Sequence, residues 1–278
     1  MMDDETAEVD IPGEALERLR AARGTFALTG AGVSAESGIP TFRAPGTGLW
    51  SQYSISDFAT PDAWRRNPSL VWSWYTHRRR MARRAQPNPA HVALAQLERR
   101  PQRFMLATQN VDGLHLRAGS ANVVELHGSL ARFRCSAEGT AVAWEDPDDD
   151  SAEALARLEA GELTAPPACP RCGEALRPDI VWFGESLPQK AWTLAAEAAA
   201  TCDVCLVIGT SSLVQPAANL PLLALRHGAY LIKINPEETS MTRLADWSAR
   251  FTAGAALPAL LRALDKSPGA SPGVSSGA

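Results

Sequence analysis

The stretch "GAGVSAESGIPTFR", residues 30–43, has the residue types of a phosphate-binding turn. It follows the apolar run "TFALT", and Gly30, Gly32 and Ala35 fit the pattern G-x-G-x-x-G/A, whose backbone N–H groups can bind a phosphate. A dinucleotide-binding dehydrogenase would continue into a second strand and an acidic residue about 20 positions on, which binds the ribose. Proline and further glycines follow here instead. The stretch therefore predicts a loop that covers its ligand and argues against a dehydrogenase.

Three polar segments follow apolar runs farther along the chain: "TQNVDGLH" (108–115), "ELHGS" (125–129) and "GTSSLVQPAA" (209–218). The carboxyl ends of parallel strands meet at one edge of a sheet, where ligands bind. A lone histidine is more often structural. Among three polar loops, however, His127 becomes a candidate general base, because the pKa of imidazole lies near neutral pH. His115, in a predicted helix, is the alternative base, and a packing role is favoured for it.

Tyr75 and Arg78 form a second chemical pair, in the segment "VWSWYTHRRRMARR" (71–84). Because they are three residues apart, they share one face of a helix. The guanidinium could pair with a carboxylate while the phenol donates a further hydrogen bond, so the pair could bind one anion. The alternative is a solvated basic face.

These segments need a scaffold that brings strand ends together. Short apolar runs predict buried strands, and apolar residues at helical spacing predict helices between them. The strands are predicted at 25–29, 104–108, 123–126, 204–209 and 230–234, and the helices at 14–22, 89–100, 189–200 and 255–264. Their alternation predicts an α/β fold with a doubly wound parallel sheet. Residues 40–84 and 130–180 interrupt the alternation and predict a second, smaller module.

Composition limits the classes of function. The chain has 278 residues, of which 45% are hydrophobic, enough for a large core and a smaller module. Its net charge of −4 argues against a protein whose whole surface binds nucleic acid. The amino terminus is acidic, so no signal peptide is predicted, and no apolar stretch reaches roughly 18 residues, so no membrane span is predicted. A cytoplasmic location is therefore expected. Residues 1–10 and 266–278 are expected to be disordered tails.

Taken together, the motifs resemble those of the sirtuin family, the NAD-dependent protein lysine deacylases. The glycine stretch, "TQNVDGLH", "LHGSL", "VWFGE" (181–185), "GTSSLVQPAA" and "INPE" (234–237) occur in the family's order. The resemblance covers most of residues 12–265. It implies a Rossmann-like domain with a smaller inserted domain, made of a helical module and a zinc ribbon. The large domain is expected at 11–39, 85–129 and 181–265, and the small domain at 40–84 and 130–180.

The resemblance implies a mechanism in which NAD is consumed. The acyl-lysine oxygen attacks the ribose carbon that bears nicotinamide, nicotinamide leaves, and the acyl group ends on ADP-ribose. By motif match, His127 would be the general base, and Asn110 and Asp112 would act in the nicotinamide pocket. The cofactor-binding residues that the resemblance implies are Gly30, Ala31, Gly32, Ser34, Ala35, Thr41, Phe42, Arg43, Trp50, Gln109, Asn110, Val111, Asp112, His127, Gly209, Thr210, Ser211, Asn235, Pro236, Glu237 and Ala253. The substrate peptide would pair as an added strand with the backbone of Val181, Trp182, Phe183 and Gly184.

The pattern "YTHR" (75–78) is similar to that of class III sirtuins, which carry a Tyr-x-x-Arg pair and remove malonyl, succinyl and glutaryl groups. Tyr75 and Arg78 are therefore the expected acyl-binding residues, and succinyl- or malonyl-lysine the expected substrate, with acetyl-lysine as a second substrate or the main alternative. Two further alternatives stay open: mono-ADP-ribosyl transfer after the same NAD cleavage, and an NAD-sensing interaction protein. NAD and acyl-lysine proteins or peptides are the expected partners.

The metal site that the resemblance implies is incomplete. The family's zinc ribbon uses two C-x-x-C pairs, which give a closed thiolate site. Cys169 and Cys172 in "CPRCG" match one pair, whereas the other reads Cys135-Ser-Ala-Glu138. Two alternatives follow: Glu138 completes a weaker site with three thiolates, or the ribbon holds together without metal. The odd number of cysteines, five, favours reduced thiols or a metal site over a disulfide framework.

Overall fold

The computed structural model describes residues 8–40, 54–145 and 151–266. The strands of these residues are β1 (Gly24–Thr29), β2 (Arg103–Thr108), β3 (Val123–Glu125), β4 (Gly128–Cys135), β5 (Ala141–Val142), β6 (Leu176–Ile180), β7 (Val204–Ile208), β8 (Tyr230–Ile234) and β9 (Trp247–Ala249). Six of them form one parallel sheet in the order β3-β2-β1-β7-β8-β9. The other three form an antiparallel sheet in which β4 lies between β5 and β6.

Helices cover both faces of the parallel sheet. The described helices are α1 (Gly13–Ala21), α2 (Pro61–Arg66), α3 (Pro68–Arg84), α4 (Pro89–Glu98), α5 (Leu114–Arg117), α6 (Ala152–Glu159), α7 (Gln189–Thr201), α8 (Leu220–Arg226) and α9 (Ala253–Asp265). Apolar side chains of α1, α4 and α9 form one core on the sheet, and those of α7 and α8 form a second core. The fold is therefore the doubly wound α/β arrangement that the sequence predicts.

Strand β1 is buried on both faces of the sheet, which explains its run of apolar residues. Ala27 points into the first core, whereas Phe26 and Leu28 point into the second. Successive side chains of a strand face opposite sides, and here helices bury both sides. The five predicted strands of this sheet are confirmed within one residue at each end.

Three helices begin with the same local signal. The side-chain oxygens of Thr60, Asn67 and Asn88 each accept a hydrogen bond from an N–H of the following first turn, and a proline comes next in each case. The proline has no N–H to leave unpaired, and its φ already suits a helix. These signals therefore determine the residues at which α2, α3 and α4 begin.

A third core joins the helical segment to the antiparallel sheet. It contains Tyr75 and Trp74 of α3, Leu130 of β4, Ile180 of β6, and Trp182. Phe58 stacks on Trp74 with ring centroids 4.7 Å apart. The two predicted interruptions of the α/β alternation therefore pack against each other.

The strands, the chain ends and the domain division can be compared with the expectations from the sequence. Strand β9 was not predicted, because "WSA" is only three residues long and lacks an apolar run. Near the expected tails, Val9 packs against the first core, and the carbonyl oxygen of Lys266 accepts a hydrogen bond from Arg20. The extent of the tails stays a prediction. The division into a large and a small domain stays a prediction.

No helix among residues 8–40, 54–145 and 151–266 is long and apolar enough to cross a membrane.

Candidate active site

The loops that follow β1 and β7 approach so closely that glycine is required in both. The Gly30 N–H donates to the carbonyl oxygen of Ile208 (3.1 Å), and the Gly32 N–H donates to that of Gly209 (2.8 Å). A Cβ atom on Gly32 would lie 2.8 Å from the same carbonyl oxygen, and one on Gly30 would lie 2.7 Å from Cβ of Thr210. No side chain fits at these distances. The two loops therefore form one continuous surface at the edge of the sheet.

Ser34, Asn110 and Asp112 form a hydrogen-bonded network beside this surface. Oγ of Ser34 donates to Oδ2 of Asp112 (2.7 Å) and accepts from Nδ2 of Asn110 (3.0 Å). The other carboxylate oxygen of Asp112 accepts from the N–H of Leu114 (2.9 Å). The network fixes an amide and a carboxylate, and it ties the glycine-rich loop to the segment after β2.

His127 follows β3, and one of its ring nitrogens is fixed. Nδ1 lies 3.1 Å from the carbonyl oxygen of Gln109, so it must carry the proton and donate it. Nε2 is then the proton-accepting atom, as a general base requires. Burial lowers the pKa of His127, and the hydrogen bond to Gln109 opposes this only in part. The imidazole is therefore neutral at neutral pH.

Two buried histidines, His91 and His115, lie behind the network with ring centroids 4.8 Å apart. Burial lowers the pKa of His115 to about 3, and its Nε2 lies 3.0 Å from Oγ1 of Thr29. A residue so enclosed fits the packing role and cannot reach a ligand at the surface. Nε2 of His91 lies 3.4 Å from Oγ of Ser34. His91 was not predicted as a site residue; its position three residues after the helix cap Asn88 was the available signal.

Side chains also connect the ends of β2, β7 and β8. Nε2 of Gln109 donates to Oγ1 of Thr210 (2.9 Å), and Nδ2 of Asn235 donates to the carbonyl oxygen of Thr210 (3.1 Å). The Glu237 N–H donates to Oδ1 of Asn235 (3.0 Å). Of the expected adenosine-side residues, Ser211 is partly buried and Pro236 is exposed. The predicted residues of three different loops are thus brought to one sheet edge.

Glu36 links the glycine-rich loop to the start of α9. Its carboxylate accepts from the N–H of Gly254 (2.8 Å) and from Oγ1 of Thr252 (2.9 Å). Ala253, between them, is 4% exposed and packs in the first core. Ala31 and Ala35 lie on the same short helix as Glu36, at Ala31–Ser37. The adenine contact expected of Ala253 stays a prediction.

Tyr75 and Arg78 share one face of α3, as their spacing predicts. Tyr75 is buried, and its ring lies 6.4 Å from that of Trp182. Burial raises the pKa of Tyr75, while the positive charge of Arg78 opposes the rise. Burial lowers the pKa of Arg78, opposed by Tyr75 and by the carboxylate of Asp112. Tyr75 is therefore part of the third core, and the charge of Arg78 interacts with that of Asp112 in the Ser34–Asn110–Asp112 network.

The segment "VWFGE" (181–185) forms a turn after β6, rather than an extended strand. The Val181 N–H donates to the carbonyl oxygen of His127 (2.9 Å), and the Phe183 N–H donates to that of Ala59 (2.9 Å). The Trp182 N–H donates to Oε2 of Glu185 (2.8 Å). These three N–H groups are already used, so a peptide that pairs with the segment would have to donate to its carbonyl oxygens. The side chain of Phe183 is 50% exposed beside it.

Comparison with known proteins decides the family. The Sir2 family model matches residues 30–216. A Methylococcus capsulatus protein named NAD-dependent protein deacylase is 48% identical over 267 residues, which are 93% of this chain and 99% of the relative. The chain belongs to the Sir2 family. A Thermus thermophilus protein of the same name is 49% identical over 253 residues, 89% of this chain and 93% of the relative.

Solved structures agree with this membership. The crystal structure of a Sir2 homologue–NAD complex has a TM-score of 0.82 and 42% sequence identity, and covers 94% of this chain and 96% of that one. A Sir2 complex with a p53 peptide and NAD+ has a TM-score of 0.76 and 33% identity, and covers 90% of this chain and 97% of that one. The expected fold class is thereby confirmed.

This Sir2 family protein brings together three of its expected metal ligands. The Sγ atoms of Cys135, Cys169 and Cys172 all lie within 4.8 Å of one another. The doubtful fourth ligand is not among them, because the carboxylate of Glu138 lies 3.1 Å from Nη2 of Arg171. Three thiols that can reach one ion fit a zinc site that lacks one protein ligand.

The ionisation of the cysteines suits metal binding. The backbone N–H groups of Arg171 and Cys172 lower the pKa of Cys169 to about 7, so a large share of it is thiolate at neutral pH. The Glu174 N–H lowers the pKa of Cys172, but Cys135, Cys169 and burial together raise it to about 11. One thiolate among three close sulfurs is the form that a cation would stabilise.

Four expected cofactor-binding residues, Thr41, Phe42, Arg43 and Trp50, lie outside the described residues. Sequence reasoning missed another feature of this Sir2 family site. Glu185 accepts from Nη1 of Arg177 (2.7 Å) and lies 3.2 Å from Nη2 of Arg134. Cζ of Arg177 lies 3.3 Å from the centroid of the Trp182 ring system. Arg134 and Glu185 are 51 residues apart in the chain, so no motif reveals that their side chains meet.

Proposed function

We propose that this Sir2 family protein is an NAD-dependent protein-lysine deacylase that removes negatively charged acyl groups, succinyl and malonyl above all. The products are nicotinamide, O-acyl-ADP-ribose and free lysine. The observation that carries the proposal is the setting of His127: a neutral imidazole, with Nδ1 bonded to Gln109, at the sheet edge where the polar loops meet. The relatives named NAD-dependent protein deacylase support the enzyme class over nearly the whole chain.

The residues at the sheet edge fit NAD. The glycines at 30, 32 and 209 leave no room for side chains between the loops, so a dinucleotide could lie close to the backbone there. Their own N–H groups already donate within the fold, to the carbonyl oxygens of Ile208, Gly209 and Ile234. Asn110 and Asp112 offer an amide and a carboxylate in fixed positions, the groups that pair with a carboxamide such as that of nicotinamide. When bound, NAD supplies a reactive ribose carbon and a leaving group.

His127 would act as the general base. Nε2 would accept a proton from a ribose hydroxyl, and the hydrogen bond from Nδ1 to Gln109 would hold the ring in place during that transfer. The backbone carbonyl of His127 accepts from the Val181 N–H, so the base and the expected peptide-binding segment share a hydrogen bond. This connection favours a substrate lysine that enters beside His127.

Tyr75 and Arg78 support the preference for an acyl carboxylate. Tyr75 packs in the third core near Trp182, and the guanidinium of Arg78 lies over the Trp74 ring of the same core. Burial lowers the pKa of Arg78, and the carboxylate of Asp112 opposes this. A guanidinium and a phenol on one helix face can bind the two oxygens of a carboxylate. An acetyl group has no carboxylate, so it would gain nothing from the pair.

Arg78→Met tests the acyl preference. We expect desuccinylation to fall by a factor of about 100 or more, because a charge-assisted pair is lost, while deacetylation changes less than about threefold. The measurement is kcat/KM with succinyl- and acetyl-lysine forms of one peptide. Arg18→Met removes an exposed arginine of α1 that pairs with Glu14 and lies over the Tyr230 ring, and it should change neither rate. Equal loss of both activities in Arg78→Met, or loss of neither, would overturn the preference.

A further inference from the structure

Trp182 carries a buried hydrogen-bond donor that the fold does not use. Its side chain is 2% exposed, and its indole Nε1 has no acceptor among the residues that the structure describes. Buried indole N–H groups normally find a partner, because an unpaired donor in the interior costs free energy. An unused donor in a binding region therefore points to a ligand acceptor.

The unused donor lies against the acyl-binding pair. The ring centroids of Trp182 and Tyr75 lie 6.4 Å apart. Burial raises the pKa of the phenol, and the indole N–H acts to lower it without completing a hydrogen bond. Arg78 follows Tyr75 by three residues on α3, and its Cζ lies 5.1 Å from the centroid of the Trp74 ring, which itself contacts the Tyr75 ring at 4.6 Å. Three donors, an indole N–H, a phenol O–H and a guanidinium, thus lie together. A group of donors like this one is complementary to an anion with several acceptor oxygens.

The indole is held in place on its face and through its backbone. The guanidinium of Arg177 stacks on the ring system at 3.3 Å, and Arg177 also donates to Glu185. Glu185 in turn accepts the backbone N–H of Trp182. A donor that is already oriented loses little conformational freedom when a ligand binds.

We infer that the indole N–H of Trp182 donates a third hydrogen bond to the acyl carboxylate of the substrate, beside Tyr75 and Arg78. This inference rests on the proposed function. It makes Trp182 a specificity-determining residue through its side chain, in addition to the peptide contact expected of its backbone. The ligand is an acyl-lysine whose acyl chain ends in a carboxylate.

Trp182→Phe tests the inference, because it removes the N–H and keeps an aromatic ring under Arg177. The substrates are succinyl-, butyryl- and acetyl-lysine forms of one peptide; butyryl has the same number of carbons as succinyl but no carboxylate. We expect kcat/KM for the succinyl peptide to fall about tenfold or more relative to the butyryl peptide, the effect of one hydrogen bond to a charged group. The ratio of the two rates in one preparation does not depend on the folded fraction.

Trp144→Phe is the matched control. Trp144 packs edge-on against Phe133 of the antiparallel sheet, with centroids 4.8 Å apart, so its replacement should leave the succinyl-to-butyryl ratio unchanged. An unchanged ratio in Trp182→Phe, with or without an equal loss on both peptides, would overturn the inference. Arg78→Met distinguishes a failure of the role inferred for Trp182 from a failure of the proposed acyl preference. If Arg78→Met is selective and Trp182→Phe is not, only the role of Trp182 fails; if Arg78→Met is not selective, the acyl preference itself fails.

Discussion

The chemistry of the site depends on how single side chains are held. Gln109 selects the tautomer of His127 by accepting from Nδ1, and Ser34 orients Asn110 and Asp112 at once. The sequence predicted these residues because each follows an apolar run. It did not predict the unused N–H of Trp182, because burial and hydrogen bonding of one indole depend on chain segments far apart in sequence.

The pH dependence of the reaction tests the role of His127. Burial lowers its pKa, so the imidazole should stay an active base below the ordinary histidine value of 6.5. We expect kcat/KM for an acyl peptide to fall on the acid side with a midpoint below that value, and to be level from there to neutral pH. His127→Ala should lose activity at every pH.

The control for this profile is His227→Ala, which removes an exposed histidine whose Nδ1 is bonded to the carbonyl oxygen of Leu223. It should leave the profile unchanged. An acid-side midpoint above the ordinary histidine value, or substantial activity in His127→Ala, would contradict the assignment of the base.

At the scale of elements, five of the six strands of the parallel sheet could be predicted, whereas β9 and the strands of the antiparallel sheet could not. β1, β7 and β8 are buried on both faces and read as continuous apolar runs. β4 has exposed residues at Ala131 and Arg132 and an irregular register between Ser129 and Phe133, so its pattern is broken. β5 is only two residues long. Sequence patterns therefore identify the scaffold of the site better than the segments that cover it.

Cys135 of β4 and the two cysteines that precede β6, Cys169 and Cys172, predict a zinc ion. We expect close to one equivalent in protein purified without chelator, held by Cys135, Cys169 and Cys172 with the remaining position left to Glu138 or water. Metal analysis measures it. Because Glu138 forms an ion pair with Arg171, the site should lose its ion to a chelator readily. Glu138→Cys should slow that loss, because it would complete a set of four thiolates.

Removal of the ion should lower the melting temperature, because metal binding contributes to the stability of small ribbons. Cys205→Ser is the control, because Cys205 is buried in the second core and is not part of the cysteine cluster, so its loss should not change the metal content. Less than about a tenth of an equivalent in untreated protein would contradict a stable zinc site and leave a ribbon that holds together without metal.

At the scale of the molecule, the site is assembled from both sheets. His127 at the edge of the parallel sheet is bonded to Val181, and Phe183 is bonded to Ala59 beside α2. Ion pairs continue the connection from Glu125 through Arg132 and on to Asp179. The fold class could be predicted from the alternation of elements alone. These contacts could not, because they join segments whose sequence spacing carries no signal.

The most direct test of the whole account is a nicotinamide-release assay on the wild-type protein with NAD and either succinyl-lysine peptide, acetyl-lysine peptide or no peptide. We predict release only when an acyl peptide is present, faster with succinyl than with acetyl, and one free lysine formed for each nicotinamide. Release that leaves ADP-ribose on protein would indicate a mono-ADP-ribosyltransferase. No release with any peptide would indicate an NAD-sensing protein, and either result would contradict a deacylase built around His127.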